Sequence, residues 1–159
     1  MRPTPGDPAP DATVFAAPRE PVRLSRYFGE RPVILLFFPL AYSSVCTREL
    51  CTVAEDYAAY EQEGATVLGI SVDSPYVNRK FAEDCGAPFP ILSDFNREAT
   101  DAYGVRRELG GLEGVSERAA FVVDPAGIVR YAWVGEHPGV FPPLEEIREA
   151  ARRAGAGGA

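Results

Sequence analysis

The chain has 159 residues, of which 46% are hydrophobic and 25% are charged, a composition typical of one soluble globular domain over residues 1–159. Its net charge of −7 disfavours nucleic acid and anionic membranes as partners, because both are themselves negatively charged. No apolar run is long enough to span a membrane and the N-terminus lacks a secretory signal, so we expect a cytoplasmic protein. The three cysteines do not have the spacing of a zinc site, and we expect no metal or cofactor.

Hydrophobic periodicity divides the chain into alternating strands and helices. In chain order, the patterns predict an edge strand at 12–16, a helical turn at 23–29, a buried strand at 33–38, a helix at 44–62, a strand at 66–72, a helix at 75–85, a short strand at 88–94 and a short helix at 96–103. Residues 105–117 contain three glycines and are predicted to form a loop. A β-hairpin at 118–134, a final amphipathic helix from Leu144 and a disordered tail at 155–159 complete the prediction.

This order of elements predicts an α/β protein with the thioredoxin fold, preceded by an N-terminal extension. The β-α-β units impose parallel pairing of their strands, whereas the hairpin adds antiparallel strands. We therefore expect a mixed central sheet flanked by helices. No repeat or linker divides the chain.

Cys46 lies where the buried strand 33–38 gives way to the helix 44–62. Pro39 ends the strand, because proline lacks an N–H group and has a fixed φ. Cys46 then falls in the first helical turn, at the sheet edge where open α/β sheets usually bind ligands. The unpaired N–H groups and the positive end of the helix dipole favour a thiolate at this position. Cys46 is therefore the candidate nucleophile.

The residues around Cys46 resemble the active-site signature of the peroxiredoxins. Pro39-x-x-x-Ser43-x-x-Cys46 is similar to the family pattern Pro-x-x-x-Thr/Ser-x-x-Cys. Further segments are similar to the family in the same order, at 6–11, 68–73, 89–94, 102–105 and 118–124. Within the family, the chain most resembles peroxiredoxin Q (the bacterioferritin-comigratory proteins) and alkyl hydroperoxide reductase E.

The resemblance implies a role for each residue of the signature and for two others. Cys46 would be the peroxidatic thiol, which attacks one peroxide oxygen and becomes a sulfenic acid. Arg118, from a distant strand, would favour the thiolate and help to position the peroxide. Ser43 would be the hydroxyl partner, Pro39 would shield the pocket and Glu49 would orient Arg118.

Reduction of the sulfenic acid requires a second thiol, for which three sources are open. Cys51 is favoured, because it stands five residues after Cys46, as in peroxiredoxin Q proteins whose resolving cysteine lies on the same helix. On an intact helix the two Cα atoms would be about 8–9 Å apart, beyond the roughly 7 Å limit for a disulfide, so the first turns would have to unwind. Cys85 is the alternative resolving residue or a core residue, and an external thiol is the third source.

These features predict a thiol-dependent peroxidase, an oxidoreductase that reduces hydrogen peroxide and organic hydroperoxides. Thioredoxin or a similar thiol reductant would regenerate it, and relatives include both monomers and homodimers. One alternative is a thiol–disulfide oxidoreductase on the same fold, although the helix start lacks its Cys-x-x-Cys motif. The other alternative is a peroxide sensor or holdase that uses the same cysteine.

Overall fold

The computed structural model describes residues 2–157, which form nine strands and five α-helices. The strands are β1 (Thr13–Ala17), β2 (Glu20–Arg23), β3 (Val33–Phe37), β4 (Thr66–Ser71), β5 (Ile91–Ser93), β6 (Arg106–Leu109), β7 (Leu112–Ser116), β8 (Ala119–Val123) and β9 (Val129–Val134). The helices are α1 (Ser44–Glu55), α2 (Tyr57–Gln62), α3 (Pro75–Cys85), α4 (Glu98–Ala102) and α5 (Leu144–Gly157), and a 3-10 turn covers Leu24–Tyr27.

Seven of the strands form one mixed sheet in the order β2-β1-β5-β4-β3-β8-β9. The pairs β3–β4 and β4–β5 are parallel, because a helix-containing crossover connects each of them. The hairpin strand β8 pairs with β3 in the antiparallel direction. The predicted mixed sheet flanked by helices is therefore present.

The central strand β3 is buried on both faces, as its run of apolar residues predicts. All five of its residues are fully buried, and alternate side chains enter opposite layers. Ile34 and Leu36 pack in the core beneath α1, α3 and α5. Leu35 and Phe37 pack in a second core on the other face, with Tyr103 among their neighbours. A strand enclosed in this way provides a rigid base for the segment that follows it.

The boundaries of α3 agree with the residues that predict them. The Ser74 hydroxyl oxygen accepts a hydrogen bond from the Val77 N–H group at 3.2 Å, and Pro75 occupies the first turn. Gly86 ends the helix in the left-handed region, with a φ of 64°.

The single helix predicted over 44–62 is wrong, because the chain breaks it at Asp56. There φ is −97° and ψ is 14°, outside the helical values, and α2 begins at the next residue. The Ala59 N–H group bonds to the Asp56 carbonyl at 2.9 Å, an i to i+3 bond that restarts the helix with a tight turn. Leu50, Val53 and Tyr60 are nevertheless buried on one side, so the predicted apolar stripe is confirmed.

The loop predicted at 105–117 is also wrong, because these residues form the separate two-stranded sheet β6–β7. Gly110 and Gly111 turn the chain with φ values of 56° and 89°, the left-handed conformations that tight hairpins require. All four residues of β6 are exposed or only partly buried, so no apolar alternation marks the strand in the sequence.

The C-terminal helix α5 reaches Gly157, so residues 155–157 of the predicted disordered tail are helical. The rest of that tail, residues 158 and 159, lies outside the described residues. Within residues 2–157, no helix is both long enough and apolar enough to cross a membrane.

Candidate active site

Cys46 is a fully buried free thiol in the first turn of α1. Ser43 is the N-cap residue, with an extended backbone, and its carbonyl accepts the Thr47 N–H group at 2.8 Å. The loop from residue 38 to residue 43 connects this helix start to the end of β3. The sulfur therefore lies at the sheet edge predicted for it.

Sheet pairing brings Arg118 to the same place. Phe37, the last residue of β3, is paired with Ala119, the first residue of β8, and Arg118 immediately precedes that strand. The end of one strand and the start of its antiparallel neighbour thus meet above the helix start. Arg118 and Cys46 are separated by 72 positions in the sequence but are in direct contact.

The guanidinium of Arg118 uses all three of its nitrogens. Nη2 donates to the Cys46 sulfur at 3.0 Å, Nη1 donates to Glu49 Oε1 at 2.6 Å, and Nε donates to the Pro138 carbonyl at 2.8 Å. Only 2% of the arginine surface is exposed. Three directed bonds from one planar group fix its orientation, so a cation is held against the thiol in a buried site. Sequence reasoning missed Pro138, because a backbone carbonyl carries no residue-type signal.

Glu49 is fully buried beside this guanidinium. Burial raises its pKa to about 7, although the charge of Arg118 and their hydrogen bond oppose the rise. Within residues 2–157, Oε2 has no hydrogen-bond partner, so Arg118 provides the carboxyl group with its one bond, at Oε1. Glu49 and Arg118 therefore form a buried pair joined through Oε1 and Nη1, and the role of Glu49 in orienting the arginine stays a prediction.

The remaining residues of the signature lie close by but do not contact the sulfur through hydrogen bonds. Pro39 is buried two residues after the end of β3. The Ser43 side chain is exposed, and its hydroxyl donates to the Leu40 carbonyl at 3.0 Å rather than to Cys46. The N-cap geometry turns this hydroxyl back toward the preceding loop.

A second carboxylate, Asp73, supports the loop before Cys46. Its Oδ2 accepts the Ala41 N–H group at 2.7 Å and the Ser71 hydroxyl at 2.8 Å. The neighbouring Tyr42 has a φ of 68°, unusual for a non-glycine residue, and its hydroxyl donates to Asp84 at 2.8 Å. These bonds hold the loop in a defined conformation. Asp73 could have been found in the sequence, because it follows a strand that ends at the same sheet edge as Cys46.

The disulfide of the structure joins Cys51 to Cys85, with their Cα atoms 4.8 Å apart. This pairing was not foreseen, since the favoured prediction linked Cys51 to Cys46. The reason is the helix itself, because five residues place two side chains about 140° apart around the axis. Cys51 consequently faces α3, where Cys85 is the last helical residue. Cys46 remains unpaired.

Comparison with known proteins identifies the family. Residues 5–132 match the model of the AhpC/TSA family. The chain belongs to this family. It is 37% identical over 129 residues to alkyl hydroperoxide reductase E of Mycobacterium tuberculosis. The aligned region covers 80% of this chain and 82% of the relative. It is also 32% identical over 148 residues to the chloroplastic peroxiredoxin Q of Triticum aestivum. This alignment covers 92% of this chain and 64% of the relative.

Solved structures agree with this membership. The crystal structure of peroxidoxin BcpB from Mycobacterium tuberculosis superposes on this AhpC/TSA chain with a TM-score of 0.82 and 27% identity, over 95% of this chain and 97% of the other. The predicted resemblance to peroxiredoxins, the thioredoxin-like fold and the assignment as a thiol peroxidase are thereby confirmed. A thiol–disulfide oxidoreductase or a sensor is not favoured.

Proposed function

We propose that Cys46 is the peroxidatic thiol of this enzyme, with hydrogen peroxide and organic hydroperoxides as substrates. The hydrogen bond of 3.0 Å from Arg118 Nη2 to the Cys46 sulfur carries the proposal. A cation held against a buried sulfur stabilises the thiolate, which is the nucleophilic form of cysteine. The same positive charge is available to the oxygen anion that leaves during the reaction.

The chemical step transfers one oxygen from the peroxide to sulfur. The Cys46 thiolate attacks one oxygen in line with the O–O bond, which breaks, and the second oxygen departs as hydroxide or alkoxide. That anion takes up a proton to give water or an alcohol, and the sulfur, oxidised by two electrons, becomes a sulfenic acid. Because Cys46 is fully buried, a small peroxide suits the site better than the disulfide of another protein does.

Three other residues support this step. Glu49 is a positioning residue that fixes the direction of Arg118 through the bond at Oε1. Pro39 keeps water from the thiolate. The Ser43 hydroxyl donates to Leu40, and its oxygen keeps free lone pairs with which it can accept a hydrogen bond from the O–H group of the peroxide.

Thioredoxin or a similar dithiol is the proposed reductant, because the oxidised product is a cysteine derivative that thiols reduce by exchange. A cytoplasmic location is part of the proposal, and the net charge of −7 disfavours nucleic acid and anionic membranes as partners. A monomer or a homodimer is the proposed assembly.

Rapid mixing of the fully reduced protein with hydrogen peroxide, with and without thioredoxin, tests the proposal. Cys46→Ser should abolish peroxide consumption, because an alcohol at this position is not ionised. Thr52→Ser, a conservative change on the same helix, is the matched control and should retain the wild-type rate. Persistent turnover in Cys46→Ser would remove Cys46 from the role of nucleophile.

A further inference from the structure

The proposed function does not assign a role to the disulfide between Cys51 and Cys85. It joins α1 to the C-terminal end of α3, while Cys46, five residues before Cys51, keeps its thiol. All three cysteines of the chain are described, so these states account for every cysteine sulfur. The oxidised pair therefore coexists with an active-site thiol that is ready to react.

Burial separates the three sulfurs into two classes. Cys46 is fully buried, and its sulfur is in contact with Arg118. Cys51 and Cys85 are only partly buried. A reductant must bring its own sulfur into bonding distance of the disulfide that it reduces, in line with the breaking bond. In the folded chain the Cys51–Cys85 pair lies nearer the surface than Cys46, which is fully buried, and is therefore the easier disulfide for a reductant to reach.

Helix geometry also separates the two possible disulfides of Cys51. A bond to Cys46 requires the first turns of α1 to unwind, because on the intact helix the two Cα atoms are about 8–9 Å apart. The bond to Cys85 exists with both helices formed. Since Cys51 is common to both bonds, a single thiol–disulfide exchange at its sulfur converts one into the other.

We propose that the three cysteines form a relay, in which oxidation passes from Cys46 through Cys51 to the Cys51–Cys85 pair. This relay rests on the proposed role of Cys46 as the peroxidatic thiol. The Cys51 thiolate first attacks the sulfur of the Cys46 sulfenic acid. A Cys46–Cys51 disulfide forms, and the departing hydroxide takes up a proton as water.

The second step is an exchange. The Cys85 thiolate attacks the Cys51 sulfur, the Cys46–Cys51 bond breaks, and Cys46 leaves as a thiolate whose charge meets the Arg118 guanidinium again. This direction is favoured, because the first turns of α1 and the hydrogen bond from Arg118 are restored together. An external dithiol then reduces the Cys51–Cys85 bond, which returns both thiols and leaves the reductant as a disulfide.

The relay separates recovery of the nucleophile from the arrival of the reductant. Cys46 becomes a thiol again by exchange within the chain, before any partner binds. A fully reduced chain without reductant should therefore consume two equivalents of peroxide. The first yields the Cys51–Cys85 disulfide, and the second leaves Cys46 as a sulfenic acid that no internal thiol can resolve.

Timed peptide mass spectrometry under non-reducing conditions tests the relay. The reduced protein is mixed with one equivalent of hydrogen peroxide, quenched with acid and alkylated at successive times. A Cys46–Cys51 link should appear first and be replaced by the Cys51–Cys85 link, with Cys46 alkylated. Cys85→Ser and Cys85→Ala should both lose the second species and stop at the Cys46–Cys51 link. Cys51→Ser should accumulate Cys46 sulfenic acid, trapped with a dione reagent.

Three results would overturn the relay. A Cys46–Cys85 link as the first species would make Cys85 the direct resolving residue. A Cys51–Cys85 pair that stays oxidised throughout turnover with reductant would make it purely structural. Unchanged turnover with thioredoxin in both Cys85 variants would show that the second step is dispensable. In each case peroxide still oxidises Cys46, whereas a Cys46 that does not react with peroxide refutes the proposed function itself.

Discussion

Replacing Arg118 by lysine keeps a positive charge in the site but removes the planar group that distributes it. The arginine donates from three separate nitrogens, to Cys46, Glu49 and the Pro138 carbonyl. A lysine ammonium is a single point on a flexible stem and cannot occupy all three donor positions. We expect it to remain with the buried Glu49 carboxylate, the strongest acceptor present, and to lose the bond to the sulfur.

The size of the effect follows from that one bond. A hydrogen bond to a charged group contributes about 1.5–3 kcal/mol. Each 1.36 kcal/mol in activation free energy changes a rate by a factor of about ten. Loss of the contact at 3.0 Å between Nη2 and the sulfur should therefore slow the reaction of Cys46 with peroxide by about 10- to 150-fold.

Stopped-flow measurement of the second-order rate constant with hydrogen peroxide checks this value. Arg130→Lys is the matched control, because Arg130 on β9 also bonds to a carboxylate, Asp124 at 2.7 Å, but its side chain is 51% exposed. That variant should react at the wild-type rate. A reaction of folded Arg118→Lys at the rate of Arg130→Lys would refute the assignment of rate acceleration to the guanidinium–sulfur contact.

Three further predictions concern Glu49, the loop before Cys46 and the end of α3. Burial raises the pKa of Glu49 from 4.5 to about 7, so the folded state binds this proton more tightly than the unfolded chain. The free energy of unfolding should therefore fall as the pH rises from about 4.5 to 7. In urea titrations, this fall should be smaller for Glu49→Gln than for the wild-type protein. Equal falls in the two proteins would contradict the raised pKa. Asp73→Ala removes the acceptor of the Ala41 N–H group. This variant should lower the free energy of unfolding by about 1–3 kcal/mol and slow peroxide reduction. An unchanged rate of peroxide reduction would show that the loop does not need this bond. Gly86→Ala introduces a side chain at a φ of 64° and should cost about 1–2 kcal/mol in urea titration, which an unchanged midpoint would disprove.

Local patterns in the sequence were sufficient to place Cys46 at a helix start, and the resemblance was sufficient to link it with Arg118. The first inference depends on residues close together in the chain, namely an apolar strand, a proline and an amphipathic helix. The second depends on a motif, because nothing local indicates that residue 118 lies beside residue 46. The structure supplies the physical reason, which is the antiparallel pairing of β3 with β8.

The pairing of Cys51 with Cys85 could not be derived in the same way. Helical periodicity shows that Cys51 points away from Cys46, but it does not show which element packs on that side. The contact depends on how α1 and α3 cross the sheet, a tertiary property. The β6–β7 hairpin was missed for a related reason, because strands that are largely open to solvent need no apolar alternation.

The interruption of the helix at Asp56 has a consequence for how the active site can move. Helix formation is cooperative, and segments shorter than about 12–15 residues are marginal without tertiary support. With 12 residues, α1 is such a segment, and its boundary at Asp56 separates it from α2. Melting of its first turns would therefore end at this boundary instead of spreading to α2, where Tyr60 is buried in the core. If the relay operates, the break would confine its unwinding step to α1, which could refold against an intact domain.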